Sequence, residues 1–160
     1  MIKEYKKKNI NKILNIINDA SLKYKGVIPN NCWHEPYMSE DELIDEISDG
    51  VHMFGYHDNK KLISVIGIQE VKDATLIRHA YTLTLYQGKG IGSALLEYLL
   101  KKNQKSRLLV GTWRKAVWAI RFYKKFSFII HSKDQSTILL KKYWKIPTKQ
   151  IDNSVVLERL

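Results

Sequence analysis

Apolar side chains recur at Ile10, Ile13, Leu14 and Ile17, with Asn11, Asn15 and Asp19 opposite them. That 3.6-residue period predicts a helix over 9–24, stopped by Gly26 and Pro29. Ser39-Glu40-Asp41-Glu42 reads as a capping box: the serine hydroxyl takes the N–H of the third helical residue, whose glutamate reaches back. The helix it opens turns Leu43, Ile44 and Ile47 inward and its acids outward, and Gly50 closes it. Apolar runs at 51–57 and 61–71 then predict a hairpin around Asp58-Asn59. Residues 75–83 predict another strand. A glycine-rich turn leads into a helix with Ile91, Leu95, Leu96 and Leu99 inward and Ser93, Glu97 and Lys101 on its wet face. A short buried strand at 107–112, a helix at 115–125 and a strand at 128–131 come next. A helix at 132–144, capped by Ser132 with Gln135 third, is broken by Pro147, and 155–158 reads as a terminal strand. The sequence has no repeat, linker or low-complexity segment. The expectation is a single mixed α/β domain over 1–160, a central sheet flanked by helices on both faces.

Composition narrows the class. With 160 residues, 44% hydrophobic and 27% charged, the chain has the content of a soluble globular domain, which excludes disordered and collagen-like chains. Cys32 is its single cysteine, so no internal disulfide forms. The best apolar run, 62–68, is strand-sized, far below a membrane span. Residues 1–8 are charged with no apolar stretch behind them, unlike a signal peptide, so a cytoplasmic location is expected.

The net charge of +11 raises anionic partners, and its distribution says more than its size. Residues 26–59 contain no lysine or arginine but eight acids: Glu35, Glu40, Asp41, Glu42, Asp45, Glu46, Asp49 and Asp58. Two oppositely charged ligands suit that segregation better than one. The runs Lys6-Lys7-Lys8, Lys101-Lys102-Lys105 and Lys141-Lys142-Lys145 are scattered over separate elements without a helix-turn-helix or RNA-motif signature. No nucleic-acid partner is therefore expected; a basic nucleic-acid-binding module is the weaker alternative. His52 and His57, five apart on a strand, face opposite sides and no Cys/His cluster exists, so no metal is expected. No Gly-x-Ser-x-Gly elbow occurs, which argues against a serine hydrolase.

The informative stretch is Thr82-Leu83-Thr84-Leu85-Tyr86-Gln87-Gly88-Lys89-Gly90-Ile91-Gly92-Ser93. Three glycines alternate between a strand and a helix. Glycine lets the backbone approach a ligand closely, and free N–H groups at a helix N-terminus form an anion cradle. The Walker pattern does not fit, because no Lys-Ser or Lys-Thr follows the glycines. Nor does the dinucleotide fingerprint, whose last glycine would fall at position 93, occupied by Ser93. A tight turn with packing glycines would give the same letters.

Gln87-Gly88-Lys89-Gly90-Ile91-Gly92 resembles the Gln/Arg-x-x-Gly-x-Gly/Ala signature of the GNAT (Gcn5-related) N-acetyltransferases. About thirty residues on, Ala119-Ile120-Arg121-Phe122-Tyr123-Lys124-Lys125-Phe126-Ser127-Phe128 is similar to that family's Ala-x-x-x-Tyr-x-x-x-Gly-Phe segment. The resemblance spans essentially the whole chain and implies acetyl-CoA as donor. It implies that the loop amides from Gln87 through Gly88, Lys89, Gly90, Ile91 and Gly92 to Ser93 hold the CoA pyrophosphate. The backbone of Leu83 would pair with the pantetheine arm. Two positions depart from the pattern: Ala116 stands where many relatives have Asn, and Ser127 where Gly is usual.

Acetyl transfer to an amine needs an oriented thioester, a stabilised oxyanion, a protonated leaving thiolate and a neutral amine. Ala116, Ala119 and Tyr123 form one helical stripe, a shallow groove ending in a hydroxyl. Tyr123 is the candidate acid, although a core tyrosine bonded to a carbonyl would fit the pattern too. An alkyl ammonium sits about three pH units above neutral, so freeing the amine costs roughly 4 kcal/mol. Relatives place a Glu or His on the strand before the loop, but those register positions here are Leu76 and Arg78. Candidate bases are His34, Glu35, Glu70 and His79, with a water chain as the other route. Trp33-His34-Glu35-Pro36-Tyr37 precedes the acidic helix, where the resemblance puts the acceptor pocket. His34, Glu35, Tyr37 and Arg78 are its candidate residues, and the acidic segment suits a small cationic amine. A non-catalytic acyl-CoA sensor is the other reading. The sequence leaves room for a homodimer through the C-terminal strands.

Overall fold

The computed structural model describes residues 1–5, 8–104 and 107–160, so Lys6, Lys7 and Lys105 of the basic runs lie outside the described residues. The chain gathers into two compact units, Met1–Lys23 with Glu35–Glu70 and Ile77–Lys105, and Tyr24–His34 with Val71–Leu76 and Ser106–Leu160.

The first unit holds β1 (Ile2–Tyr5), α1 (Ile10–Ala20), α2 (Glu40–Ser48), β2 (His52–Asp58), most of β3 (Lys61–Val71), most of β4 (Ala74–Thr82) and α3 (Ile91–Lys102). β2 pairs antiparallel with β1 and β3, and a register shift interrupts it between Tyr56 and His57. The hairpin turns on Asn59 and Lys60, both left-handed at φ +45° and +72°, one residue later than the sequence suggested. Two left-handed central residues match the right-handed twist of the flanking strands. Ile13, Ile16 and Ile17 of α1 pack with Met38, Leu43, Val51, Met53, Leu62 and Val65, and Tyr37, Ile47, Tyr81 and Leu83 close over this cluster.

The Ser39 hydroxyl accepts the Glu42 N–H at 3.1 Å, as the capping box predicts. Leu43 is fully buried, but Ile44 is 38% exposed rather than inward. The helix buries one narrow stripe: Leu43 and Ile47 lie a turn apart, while Ile44 is rotated about 100° from Leu43.

The second unit holds β5 (Arg107–Trp113), α4 (Val117–Lys124), β6 (Ile129–Ile130), α5 (Lys133–Tyr143), α6 (Thr148–Asp152) and β7 (Ser154–Arg159). β7 runs antiparallel to both β5 and β6. Ala74, Leu76, Leu109, Leu139, Leu140, Tyr143, Ile151 and Val156 form its core. The Ser132 hydroxyl caps α5 by accepting the Gln135 N–H at 3.2 Å. The strand order is β1-β2-β3-β4-β5-β7-β6, a seven-stranded mixed sheet with helices, the expected α/β class. Among the described residues no helix is long and apolar enough to cross a membrane.

Candidate active site

The loop after β4 is fixed by bonds from its own unit. The Leu83 N–H donates to the Ile63 carbonyl at 2.9 Å. The Ser64 hydroxyl donates to the Tyr81 carbonyl at 3.0 Å and lies 2.7 Å from the Thr82 hydroxyl. Thr84–Tyr86 then form one 3-10 turn that the sequence reading missed. Asp19 at the end of α1 holds its start, accepting the Thr84 N–H at 2.8 Å and the Thr84 hydroxyl at 3.0 Å. The Gln87 side-chain amide donates to the Thr82 carbonyl at 3.0 Å, a strut across the loop.

Residues 87–90 are exposed. Gly88 and Gly90 are left-handed, at φ +77° and +78°, and a Cβ at either would meet nothing within 4 Å. Close packing therefore does not demand glycine here; the torsions and an open approach to the backbone do. Gly90 caps α3 without a side-chain bond. In the first turn, the N–H groups of Ile91, Gly92 and Ser93 have no acceptor within the helix, and its dipole favours negative charge there. The ammonium groups of Lys89 and Lys61 each lie 5.4 Å from the centre of the Tyr86 ring. Backbone donors with cations beside them suit a diphosphate.

In the second unit, Ala116 is fully buried at the start of α4, Ala119 is half-buried and Tyr123 is 5% exposed. The helix ends in a Schellman closure: the Phe128 N–H donates to the Tyr123 carbonyl at 3.3 Å and the Ser127 N–H to the Lys124 carbonyl at 3.2 Å. Ser127 takes φ +66°, which explains why glycine suits that position. The Tyr123 ring meets the edges of Phe122 and Phe128, centroids 5.1 and 5.5 Å apart. Burial, with a smaller contribution from Tyr24, holds the phenol well above its ordinary pKa, so its proton stays on.

The candidate acceptor residues fall in different settings. His34 is exposed after the short 3-10 turn Asn30–Cys32 of the second unit. In the first unit Glu35 is exposed, while Tyr37 is half-buried on the apolar cluster that also seats Tyr81 and Leu83. Glu70 is exposed on β3.

Arg78 is engaged by side chains the sequence did not connect to it. Its guanidinium donates to Gln69 Oε1 at 2.8 Å and to Glu46 Oε1 at 2.9 Å. The other oxygen of Glu46 bonds His79 Nε2. Gln69 in turn donates to the Asp49 carbonyl at 3.1 Å. Burial raises the Glu46 pKa, but the bonds and charges of His79 and Arg78 outweigh it and the net shift is downward. His79 carries a left-handed φ of +52° inside β4. His52 bonds Glu4 and His57 bonds Tyr5, so these two histidines serve separate partners.

Among curated proteins, none matches this sequence. Solved structures do. The ribosomal-protein-S18-alanine N-acetyltransferase of Escherichia coli superposes with TM-score 0.70 at 18% identity, covering 99% of this chain and 91% of that one. The PaiA N-acetyltransferase of Thermoplasma acidophilum, solved with coenzyme A, gives 0.70 at 18% identity over 99% and 98%. An IAA acetyltransferase of Bacillus cereus gives 0.65 at 22% identity over 99% and 97%. At these identities the likeness is one of fold. The family model of the acetyltransferase (GNAT) domain matches residues 4–138, most of the length, and the chain accordingly belongs to that family of N-acetyltransferases, which use acetyl-CoA.

Proposed function

We propose that residues 1–160 work as one cytoplasmic N-acetyltransferase domain that moves acetyl from acetyl-CoA to the primary amine of a small cationic molecule. The amine nitrogen attacks the thioester carbonyl directly in a ternary complex. The carbonyl oxygen gathers negative charge, the C–S bond breaks and the thiolate takes a proton. Cys32 is buried and has no part in this path.

The observation that carries the proposal is the exposed loop at 87–90 with its two left-handed glycines and uncapped helix start. Acetyl-CoA is the co-substrate and supplies the activated acyl group. Gln87 to Ser93 would hold its diphosphate, the Leu83 backbone its arm, and Ala119 and Tyr123 the end of that arm. Tyr123 is the proposed general acid. Its raised pKa keeps the hydroxyl protonated at neutral pH, so the proton is in place when the C–S bond breaks. His34 and Glu70 are proposed bases on the acceptor side, with Glu35, Tyr37 and Arg78 as contacts to the amine. The exposed acids Glu40, Asp41, Glu42 and Asp45 support a cationic acceptor through their field.

The test is calorimetry with acetyl-CoA followed by thiol release with an amine panel. Cadaverine, lysine methyl ester, a neutral amine and a peptide with N-terminal alanine would be compared. Heat of binding and a preference for the cationic alkylamines, weakened by salt, are expected. No heat at millimolar acetyl-CoA would refute the donor, and preference for the alanyl peptide would move the acceptor from a small molecule to a protein. Tyr123→Phe is expected to lower turnover by roughly 10²–10⁴ while acetyl-CoA still binds.

A further inference from the structure

Tyr5 closes β1 at the end away from His57: its register partner on β2 is Met53, while the Met1 carbonyl takes the His57 N–H at 2.8 Å. Even so, the Tyr5 hydroxyl bonds His57 Nε2, and the two rings stack with centroids 5.4 Å apart and planes inclined by 20°. Side chains alternate along a strand, so Met53, Gly55 and His57 share one face of β2. The register shift beside His57 skips Ile63 on β3 and leaves that alternation intact. Gly55 makes the reach possible. A Cβ there would stand 2.6 Å from the Tyr5 ring, so the phenol lies along β2 only over bare backbone. β1 is thus tied to one histidine twice, by backbone at its start and by the folded-back side chain from its end. Tyr5 also belongs, with Ile10, Tyr37 and Leu83, to the layer packed on the core of the first unit.

A neutral imidazole has one donor and one acceptor nitrogen, whereas the cation donates from both. Nε2 serves the Tyr5 hydroxyl, which can donate or accept. Nδ1 is buried and has no partner among the described residues. A second ring proton would give the site a charged group with a buried donor lacking an acceptor. The charges that face the ring are Lys3 of β1, the Met1 ammonium and Lys12 of α1, all positive. Leu62 of β3, its register partner, is apolar, and Asp58, next on β2, points to the opposite face. Burial keeps the Tyr5 phenol protonated and neutral. Burial first, and the three positive charges after it, lower the His57 pKa; the Met1 carbonyl favours the cation and is outweighed.

We propose that Tyr5 and His57 form a latch that holds β1 on the sheet while the imidazole is neutral and releases it when the ring takes a proton. Undocked, the ring meets water and charges at its ordinary value of about 6.5. A base whose pKa is lower when docked favours the docked strand fully above that value. The preference falls by up to about tenfold per pH unit below it, until the docked ring itself charges. Release takes Tyr5 out of the layer that also seats Tyr37 and Leu83, so mild acid would loosen the support of two residues proposed to contact the amine and the donor. That last consequence rests on the acetyltransferase reading above; the latch does not.

Hydrogen exchange of the wild-type protein, followed by mass spectrometry between pH 5 and 8 and corrected for intrinsic rates, reads the latch. Protection of the bonded amides in 2–5 should fall about threefold to tenfold from pH 7 to pH 5.5, while the amides of α3 stay protected. His57→Phe keeps an aromatic ring that cannot titrate, and its protection at 2–5 should be flat over that range. NMR titration of the wild-type ring, which needs no variant, should place its pKa below about 6.5. Flat protection in the wild type, a step that survives in His57→Phe, or a ring that titrates at or above the ordinary value would overturn the latch. So would a loss at 2–5 that comes only together with α3, which is global unfolding. Acetyl-CoA binding is a separate readout: its absence would remove the acetyltransferase reading and leave the latch standing.

Discussion

The ring of Phe128 stands edge-on to that of Tyr123, centroids 5.5 Å apart, and the Phe128 N–H closes the helix on the Tyr123 carbonyl. One residue thus fixes both the backbone and the ring of the proposed acid. Edge-to-face pairs of this kind contribute about 1 kcal/mol beyond their buried area. Phe128→Leu should lower stability by at least that amount in urea unfolding. It should also lower kcat while leaving the heat of acetyl-CoA binding in place. A variant with wild-type kcat would show that the phenol is held without this clamp.

Between those two residues Ser127 sits at φ +66°. A left-handed residue with a Cβ carries a strain of roughly 1–2 kcal/mol, partly offset by the greater unfolded-state freedom of glycine. Ser127→Gly should stabilise the protein by about 0.5–1 kcal/mol, read as a higher Tm with unchanged kcat. A lower Tm would mean that the serine hydroxyl makes a bond worth more than the strain.

Asp19 ties α1 to the loop through two bonds to Thr84, at 2.8 and 3.0 Å. Bonds to an ionised acceptor are strong when buried, but this pair is exposed, so about 1 kcal/mol is a fair share. Asp19→Ala keeps a good helix former at the end of α1 and frees the 3-10 turn. The KM for acetyl-CoA should rise about threefold to tenfold with little change in kcat, because the role proposed for the loop is to hold the donor and not the amine. An unchanged KM would show that the loop holds its shape without the aspartate.

These relationships differ in how visible they are from the chain alone. The caps Ser39 and Ser132 were legible because a hydroxyl three residues before a free N–H is a local device. So was the strand–glycine–helix order at 82–93, where torsion and ligand approach both ask for glycine. β1 was not: Ile2–Tyr5 is too short to show an alternation, and it exists because β2 offers a free edge. α6, five residues after Pro147, is too short for a period. The Glu46–Arg78–His79 cluster is less visible still. Glu46 is more than thirty residues from the other two, and consecutive strand positions should not share a partner. Only the left-handed turn at His79 brings them together, and a histidine gives no sequence sign of that torsion.

The second unit carries a comparable carboxylate, and acid should find it. Glu158 on β7 accepts from Arg107 at 2.5 and 3.0 Å and is bonded by His131 at 2.7 Å. The Arg107 bonds lower its pKa, burial opposes them, and the His131 bond lowers it further, for a net downward shift from 4.5. A carboxylate depressed by folding stabilises the native state fully above its unfolded pKa. That contribution disappears as pH falls through the lower folded value. Glu158→Gln should therefore be markedly less stable than wild type at pH 7, where Arg107 also loses its nearest carboxylate. The gap should hold down to about pH 5 and close below the ordinary glutamate range. Urea midpoints of both proteins across pH 3–7 measure it. A gap of constant size would mean that Glu158 contributes shape and not charge, and the acid sensitivity would have to come from Glu46, whose pKa folding also lowers.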